Sequence, residues 1–242
     1  MDRRKFLALG GVLFLAGCSH VIERKIIFDG NYETFKNFLE KYQKEKNNFL
    51  RSNIKGIVSA SRRIQSKINF TGKEDIVEGE ALIVYPYLIS VAHNTGAYYG
   101  GKSETTLRDG TKLEKIVVDG VRDISVFKLP KDYPEPDYSV KLGDSNEMEI
   151  LNEVYLVGNP GNSGRNIRNG VISHKSEDRF YQPNILTNGF AVSINGYVGD
   201  SGTPVINENA EVLGLLSSMI LGVGSSNIKP INWFKEYMKL SD

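Results

Sequence analysis

Hydrophobic and polar positions divide the chain into three stretches of different period. Phe6 to Ala16 is a run of about eleven apolar or small residues behind the basic Arg3-Arg4-Lys5. A helix that crosses a bilayer needs roughly twenty apolar residues, so this run is too short to span and reads as the core of an export signal. From Ser19 to about Leu50 lysine, glutamate and asparagine dominate, while Tyr32, Phe35, Phe38, Leu39, Tyr42 and Phe49 recur at helical spacing. That spacing predicts one amphipathic helix, a structural appendage without chemistry of its own. After about residue 52 short β-rich runs take over: Gly56 to Ser59, Ala81 to Tyr85, Leu88 to Val91, Lys115 to Val118, Ile124 to Leu129, Val154 to Val157, Val171 to Ser173 and Val212 to Leu216. Asp109-Gly110 and Asn159-Pro160-Gly161 are turn signals between them. This pattern argues for an all-β antiparallel sandwich or barrel. Ile231 to Leu240, with Trp233, Phe234, Tyr237 and Met238 in helical register, predicts a closing helix.

Three segments follow from this reading: a signal peptide over 1–17, a linker with the amphipathic helix over 18–51, and one domain over 52–242. At 242 residues a single all-β domain needs no further division. The net charge of +1 leaves no strong field to draw nucleic acid, which is excluded as a partner. Removal of residues 1–17 takes away three basic residues and one acidic residue, and the mature chain is near neutral at −1. Cys18 is the single cysteine, so the chain closes no disulfide on itself, and the histidines are only His20, His93 and His174. Neither a zinc cluster nor any other metal or cofactor is expected from so sparse a set.

Candidate chemistry lies in three separate places. Asn195-Gly196-Tyr197-Val198-Gly199-Asp200-Ser201-Gly202-Thr203-Pro204-Val205 sets a serine between glycines. Such a turn presents a hydroxyl and aims backbone N–H groups, here those of Gly199 and Ser201, at one small space where an oxyanion could develop. A serine hydroxyl becomes a nucleophile only when a base removes its proton, and the base needs a third group to fix its tautomer. His93 ends the strand-like Tyr87-Leu88-Ile89-Ser90-Val91-Ala92, and Asp123 precedes the alternating Ile124 to Leu129. Each residue alone is ordinary in its setting; His174 and His20 have no motif around them and are read as structural or solvated.

Together the three resemble the trypsin-like, chymotrypsin-fold serine peptidases, whose order along the chain is also His, Asp, Ser. Leu107-Arg108-Asp109-Gly110 through Val118, Leu142-Gly143-Asp144-Ser145, and Val154 to His174 with Gly158-Asn159-Pro160 and Gly170-Val171-Ile172-Ser173 are similar to the protease domain of the HtrA (DegP-like) family. The resemblance covers roughly residues 52 to 240. It implies two antiparallel six-stranded β-barrels, Ser201 as nucleophile, His93 as general base and Asp123 as the carboxylate that orients it. It also implies that the Ser217 hydroxyl supports Asp123, and that the edge strand beside it binds extended peptide substrates by β-augmentation. Asn195, Ser218, Met219 and Ser225 would line the pocket for the residue preceding the scissile bond. None is charged, which argues against Arg or Lys there and for a small or medium apolar side chain.

Two departures stand beside the nucleophile. Thr203 replaces the usual second glycine, and Asp200 stands where HtrA relatives carry asparagine. In secreted trypsins that aspartate pairs with an N-terminal ammonium released by zymogen cleavage. Leu15-Ala16-Gly17-Cys18 resembles the lipobox of bacterial lipoproteins, so the mature N-terminus would be acylated at Cys18 and not offer that ammonium. Lys55-Gly56-Ile57-Val58 is a weak candidate for a second cleavage, and activity without zymogen cleavage is the expectation. Two or three acyl chains, at about 0.8 kcal/mol per buried methylene, would anchor the domain to a membrane in the bacterial cell envelope, with the outer membrane favoured. Arg3-Arg4-Lys5-Phe6-Leu7 weakly resembles a twin-arginine signal. About forty residues follow Ser201, too few for a PDZ domain. Two alternatives stay open: an inactive peptidase fold that grips extended peptides, and a structural spacer in an envelope assembly.

Overall fold

A computed structural model describes residues 32–70, 73–95, 103–160, 164–175, 181–182, 185–186, 189–220 and 224–239. The signal segment, Cys18 and His20 lie outside these residues. By internal contacts the chain divides into two units, Met1–Arg51 and Ser52–Asp242. Helix α1 (Tyr32–Ala60) runs across that boundary. Gly56 to Ser59 is therefore helical and not a strand. Ile54, Ile57 and Ala60 recur at helical spacing and are buried, and Gly56 meets the Tyr138 ring so closely that a Cβ would sit 2.2 Å from it. Four apolar or small residues could not reveal the period by themselves; the buried spacing on either side decides it.

The strands in chain order are β1 (Ser61–Phe70), β2 (Lys73–Val84), β3 (Tyr87–Ser90), β4 (Ser103–Leu107), β5 (Glu114–Asp119), β6 (Ile124–Lys128), β7 (Glu153–Gly158), β8 (Asn166–Lys175), β9 (Tyr181–Gln182), β10 (Ile185–Leu186), β11 (Phe190–Val192), β12 (Pro204–Asn207), β13 (Val212–Ile220) and β14 (Ser225–Pro230). A single 3₁₀ turn, Ala92–Thr95, follows β3, and helix α2 (Ile231–Lys239) closes the described chain. Strand β1 escapes the sequence pattern because its buried Ile64 and Ile68 stand between basic and polar neighbours.

The first six strands pair antiparallel in the order β4-β1-β2-β3-β6-β5. Hydrogen bonds from Leu107 N to Thr111 O and from Leu113 N to Thr105 O curl the β4 edge toward β5. Ile64, Ala81, Ile83, Leu88, Leu107, Phe127 and Leu129 fill the interior of this sheet. The second set closes fully as a barrel, β11-β14-β13-β12-β7-β8. Its interior holds Val154, Leu156, Ile172, Phe190, Val192, Val205, Leu213, Leu216 and Ile228. Each such buried side chain contributes about 1.5–3 kcal/mol. The all-β architecture of two six-stranded sheets is thus observed, the second being the closed one.

In β13 the register against β14 shifts between Leu216 and Ser218. A bulge of this kind takes one residue out of the ladder and re-aims its side chain. That residue is Ser217.

Candidate active site

His93 sits in the 3₁₀ turn after β3, where strand β3 is anchored on both sides by β2 and β6. Asp123 lies in the turn before β6 with φ of 58°. Aspartate is among the few residues that accept this left-handed backbone, which costs most others about 1–2 kcal/mol. The turn is pinned to α2. Asp119 accepts the N–H groups of Val121 and Arg122, each at 2.9 Å, and the Tyr237 hydroxyl at 2.8 Å. Arg122 lies 5.6 Å from the Trp233 ring centroid and pairs with Glu236 at 3.0 Å.

The Asp123 carboxylate is 2% exposed and receives three groups. His93 N donates to Oδ1 at 2.9 Å, His93 Nδ1 lies 2.9 Å from Oδ2 and 3.1 Å from Oδ1, and Ser217 Oγ donates to Oδ2 at 2.6 Å. An ionised carboxylate only accepts, so Nδ1 carries the ring proton and Nε2 is left as the basic nitrogen. Burial pushes the Asp123 carboxyl up, but hydrogen bonds from His93 and Ser217 and the charge of His93 outweigh it and hold the group below the usual aspartate value. Lys229, fully buried on β14, completes this environment. Burial pushes its ammonium down, and the charge of Asp123 pulls it partly back up.

Ser217 also joins Asp123 to Ser201, because its carbonyl accepts the Ser201 hydroxyl at 3.3 Å. The Ser201 carbonyl is held from the first sheet by Glu80 N at 2.9 Å and by the Asn94 side chain at 2.9 Å, Asn94 being the residue after His93. Gly202 follows with φ of 89°, and a Cβ there would lie 1.9 Å from the Glu80 carbonyl oxygen, so only glycine fits. Along the turn, Asp200 N bonds back to Tyr197 O at 3.0 Å and Gly202 N to Leu216 O at 2.7 Å. Among the described residues, the N–H groups of Gly199 and Ser201, which flank Asp200, are left uncommitted.

Asp200 is 0% exposed. Its Oδ2 accepts Arg168 Nη2 at 2.7 Å and Tyr197 N at 2.9 Å, and its Oδ1 accepts Asn159 N at 2.9 Å. Thr203 turns inward, its hydroxyl donating to the Asp200 carbonyl at 2.7 Å. Asn159 also donates to the buried Glu80 carboxylate at 2.9 Å, which forms an ion pair with Arg165 at 2.7 Å. Arg168, Glu80, Asn94 and Lys229 were not singled out by sequence reasoning, and Asn159 only as part of a turn. The signals were faint: an arginine in an otherwise apolar and polar strand, and a lone glutamate inside Gly79-Glu80-Ala81.

Of the residues assigned to the substrate pocket, Ser218 and Met219 lie on β13 opposite Asn227 and Ser226, and Ser225 lies opposite Ile220. Asn195 precedes the serine turn, and its carbonyl accepts Arg168 Nη1. Ser218, Met219 and Ser225 thus lie on the β13–β14 pair, and Asn195 lies near Gly224, the residue before β14. His174 is exposed on β8. Among the described residues no group of three or more His, Cys, Asp or Glu could hold a metal ion, and no helix is long and apolar enough to cross a membrane.

Two six-stranded antiparallel sheets with a His, an Asp and a Ser at their junction define a class, and residues 87–215, just over half the chain, match the family described as trypsin-like peptidase domain. The chain belongs to that family. Its relatives include the probable periplasmic serine endoprotease DegP-like of Rickettsia conorii, 29% identical over 161 residues that make up 64% of this chain and 30% of the relative. The protein of the same description from Pseudomonas putida is 32% identical over 124 residues, 49% of this chain and 24% of the relative. The chain thus spans about a third or less of these relatives. The HtrA-type protease AlgW with tripeptide has a similar fold, with a TM-score of 0.59 and 19% identity over 77% of this chain and 61% of that one.

Proposed function

We propose that this chain is a serine endopeptidase of the cell envelope. One observation carries the reading: a buried aspartate accepts both the backbone and the ring N–H of His93, and Ser217 links that same carboxylate to the hydroxyl of Ser201. His93 takes the proton of Ser201 as the oxygen attacks a peptide carbonyl, and Asp123 stabilises the imidazolium that results. The uncommitted N–H groups of Gly199 and Ser201 receive the oxyanion, each such donor being worth about 3–4 kcal/mol in the transition state. His93 then returns its proton to the departing amine, and water hydrolyses the acyl-enzyme.

The substrates are envelope or extracellular proteins, met as extended segments along β13, with a small or medium apolar residue before the scissile bond. Lipidation at Cys18 holds the enzyme on the membrane. The relatives named periplasmic support an envelope location.

A fluorophosphonate probe should label the full chain at Ser201, and Ser201→Ala should abolish labelling and lower casein turnover by about six orders of magnitude. Labelling that persists in Ser201→Ala, or its absence from the folded parent, overturns the assignment. Cleavage profiles dominated by Arg or Lys before the scissile bond refute the pocket reading, and growth of cells with labelled palmitate tests Cys18.

A further inference from the structure

The segment Asn195–Asp200 wraps around one guanidinium. Arg168 reaches from β8 and donates Nη1 to the Asn195 carbonyl at the start of the segment and Nη2 to Asp200 Oδ2, 2.7 Å away, at its end. Between these contacts the Tyr197 ring lies against it, 5.3 Å from centroid to Cζ. Gly158 of β7 makes room for the approach, since a Cβ there would stand 2.1 Å from Arg168 Nη2 and 2.6 Å from Asp200 Oδ1.

A carboxylate taken wholly out of water is costly unless a charge and hydrogen bonds replace the lost solvation. Among the described residues Arg168 is the only cation within ion-pair distance of Asp200. A guanidinium offers a rigid, planar fork of donors, which suits it to fix a geometry. The residues it fixes, through Asp200 and the Asn195 carbonyl, are those that carry the N–H groups of Gly199 and Ser201.

We propose that Arg168 is the positioning residue of the oxyanion turn, a cation supplied by barrel strand β8 that holds the turn in its donor-ready shape without a newly cut N-terminus. The inference rests on the peptidase reading above for its effect on rate, but its structural content does not. Asp200 is then a residue that came with its partner: aspartate at this position requires Arg168, and Arg168 requires aspartate.

The experiment compares the full chain with Arg168→Leu, Asp200→Asn and the double variant. Each is read by fluorophosphonate labelling rate, by kcat and KM on casein-derived peptide, and by amide hydrogen exchange over residues 195–203. Arg168→Leu should cut labelling and kcat about 100-fold, the loss typical of one oxyanion donor, with KM within threefold of the parent. Exchange at Gly199 and Ser201 should speed up. The double variant removes both charges and should recover to within about tenfold of the parent, above either single variant, because the side-chain amide introduced by Asp200→Asn keeps an oxygen for Asn159 N. Arg168→Leu within threefold of the parent, or a double variant as slow as the slower single, overturns the proposal. If Arg168→Leu does not fold, as read by circular dichroism, Asp200→Asn against the double variant decides in the same way. A parent that is never labelled, but whose exchange pattern moves as described, sinks the peptidase reading and leaves the positioning role standing.

Discussion

Asp123 and Asp200 are both buried aspartates, at 2% and 0% exposure, one belonging to each sheet and each a few hydrogen bonds from Ser201. They differ in their partners. Asp123 faces an imidazole, His93, and the Ser217 hydroxyl, whereas Asp200 faces Arg168 and two backbone N–H groups. A carboxylate beside an imidazole steers a proton and stabilises a charge that comes and goes. A carboxylate beside a guanidinium can only hold a shape. Burial and hydrogen-bond count are therefore poor guides to role; the chemistry of the partner side chain separates a participant from a brace.

The comparison breaks first at Asp123. Asp123→Asn should leave the fold intact and lower kcat about 10⁴-fold, because an amide facing Nδ1 favours the wrong tautomer of His93; steady-state kinetics on a peptide substrate measures it. A loss of less than tenfold would move Asp123 into the bracing class with Asp200.

The junction between the two aspartates comes next. Gly202→Ala drives a methyl into the Glu80 carbonyl and forces alanine into a left-handed backbone, at a cost of about 3 kcal/mol in urea unfolding. A loss below 1 kcal/mol would show that the sheets part easily at Ser201. Ser217→Ala removes one hydrogen bond to a charged group, worth about 1.5–3 kcal/mol, and should lower the melting temperature by roughly 3–12 °C and slow kcat by roughly ten- to a hundredfold.

The smallest effect is in pH dependence. The folded-state pKa of Asp123 is depressed, so its contribution to stability is fully present above the ordinary aspartate value of 3.8 and is lost as pH falls through the lower folded value. Asp119, held down by hydrogen bonds from Arg122, Tyr237 and Val121 against the opposing effect of burial, acts in the same window and direction. Melting temperature followed from pH 6 down to pH 2 should fall less steeply in Asp123→Asn than in the parent. Parallel acid limbs would show that the carboxylate gains nothing from its partners on folding.

Much of this is readable in the chain. Gly-Asp-Ser-Gly, a histidine ending a β-branched run and an aspartate opening another are local patterns, each produced by a turn or strand end a few residues long. The C-terminal end of helix α1 reads as a strand because Gly56 to Ser59 has a strand's composition, and only the buried spacing of Ile54, Ile57 and Ala60 reveals its period. Charged residues within strands hide the rest. Arg168 lies 32 residues before Asp200, and Glu80 lies 79 residues before Asn159, so nothing in their neighbourhoods announces the pairs.

Local pattern was enough for the strand-rich domain, the closing helix and the three positions where nucleophilic chemistry could reside, because hydrophobic period and turn residues act over short distances. It also raised Asp200 as a turn acid without a cation to meet it. Only the folded arrangement makes Arg168 that cation, stands Ser217 on a bulge between Asp123 and Ser201, and ties Ser201 to the histidine's sheet through Glu80 and Asn94. Those contacts depend on strand order and register across a closed barrel, and desolvated charges find partners through space, without regard to their separation along the chain.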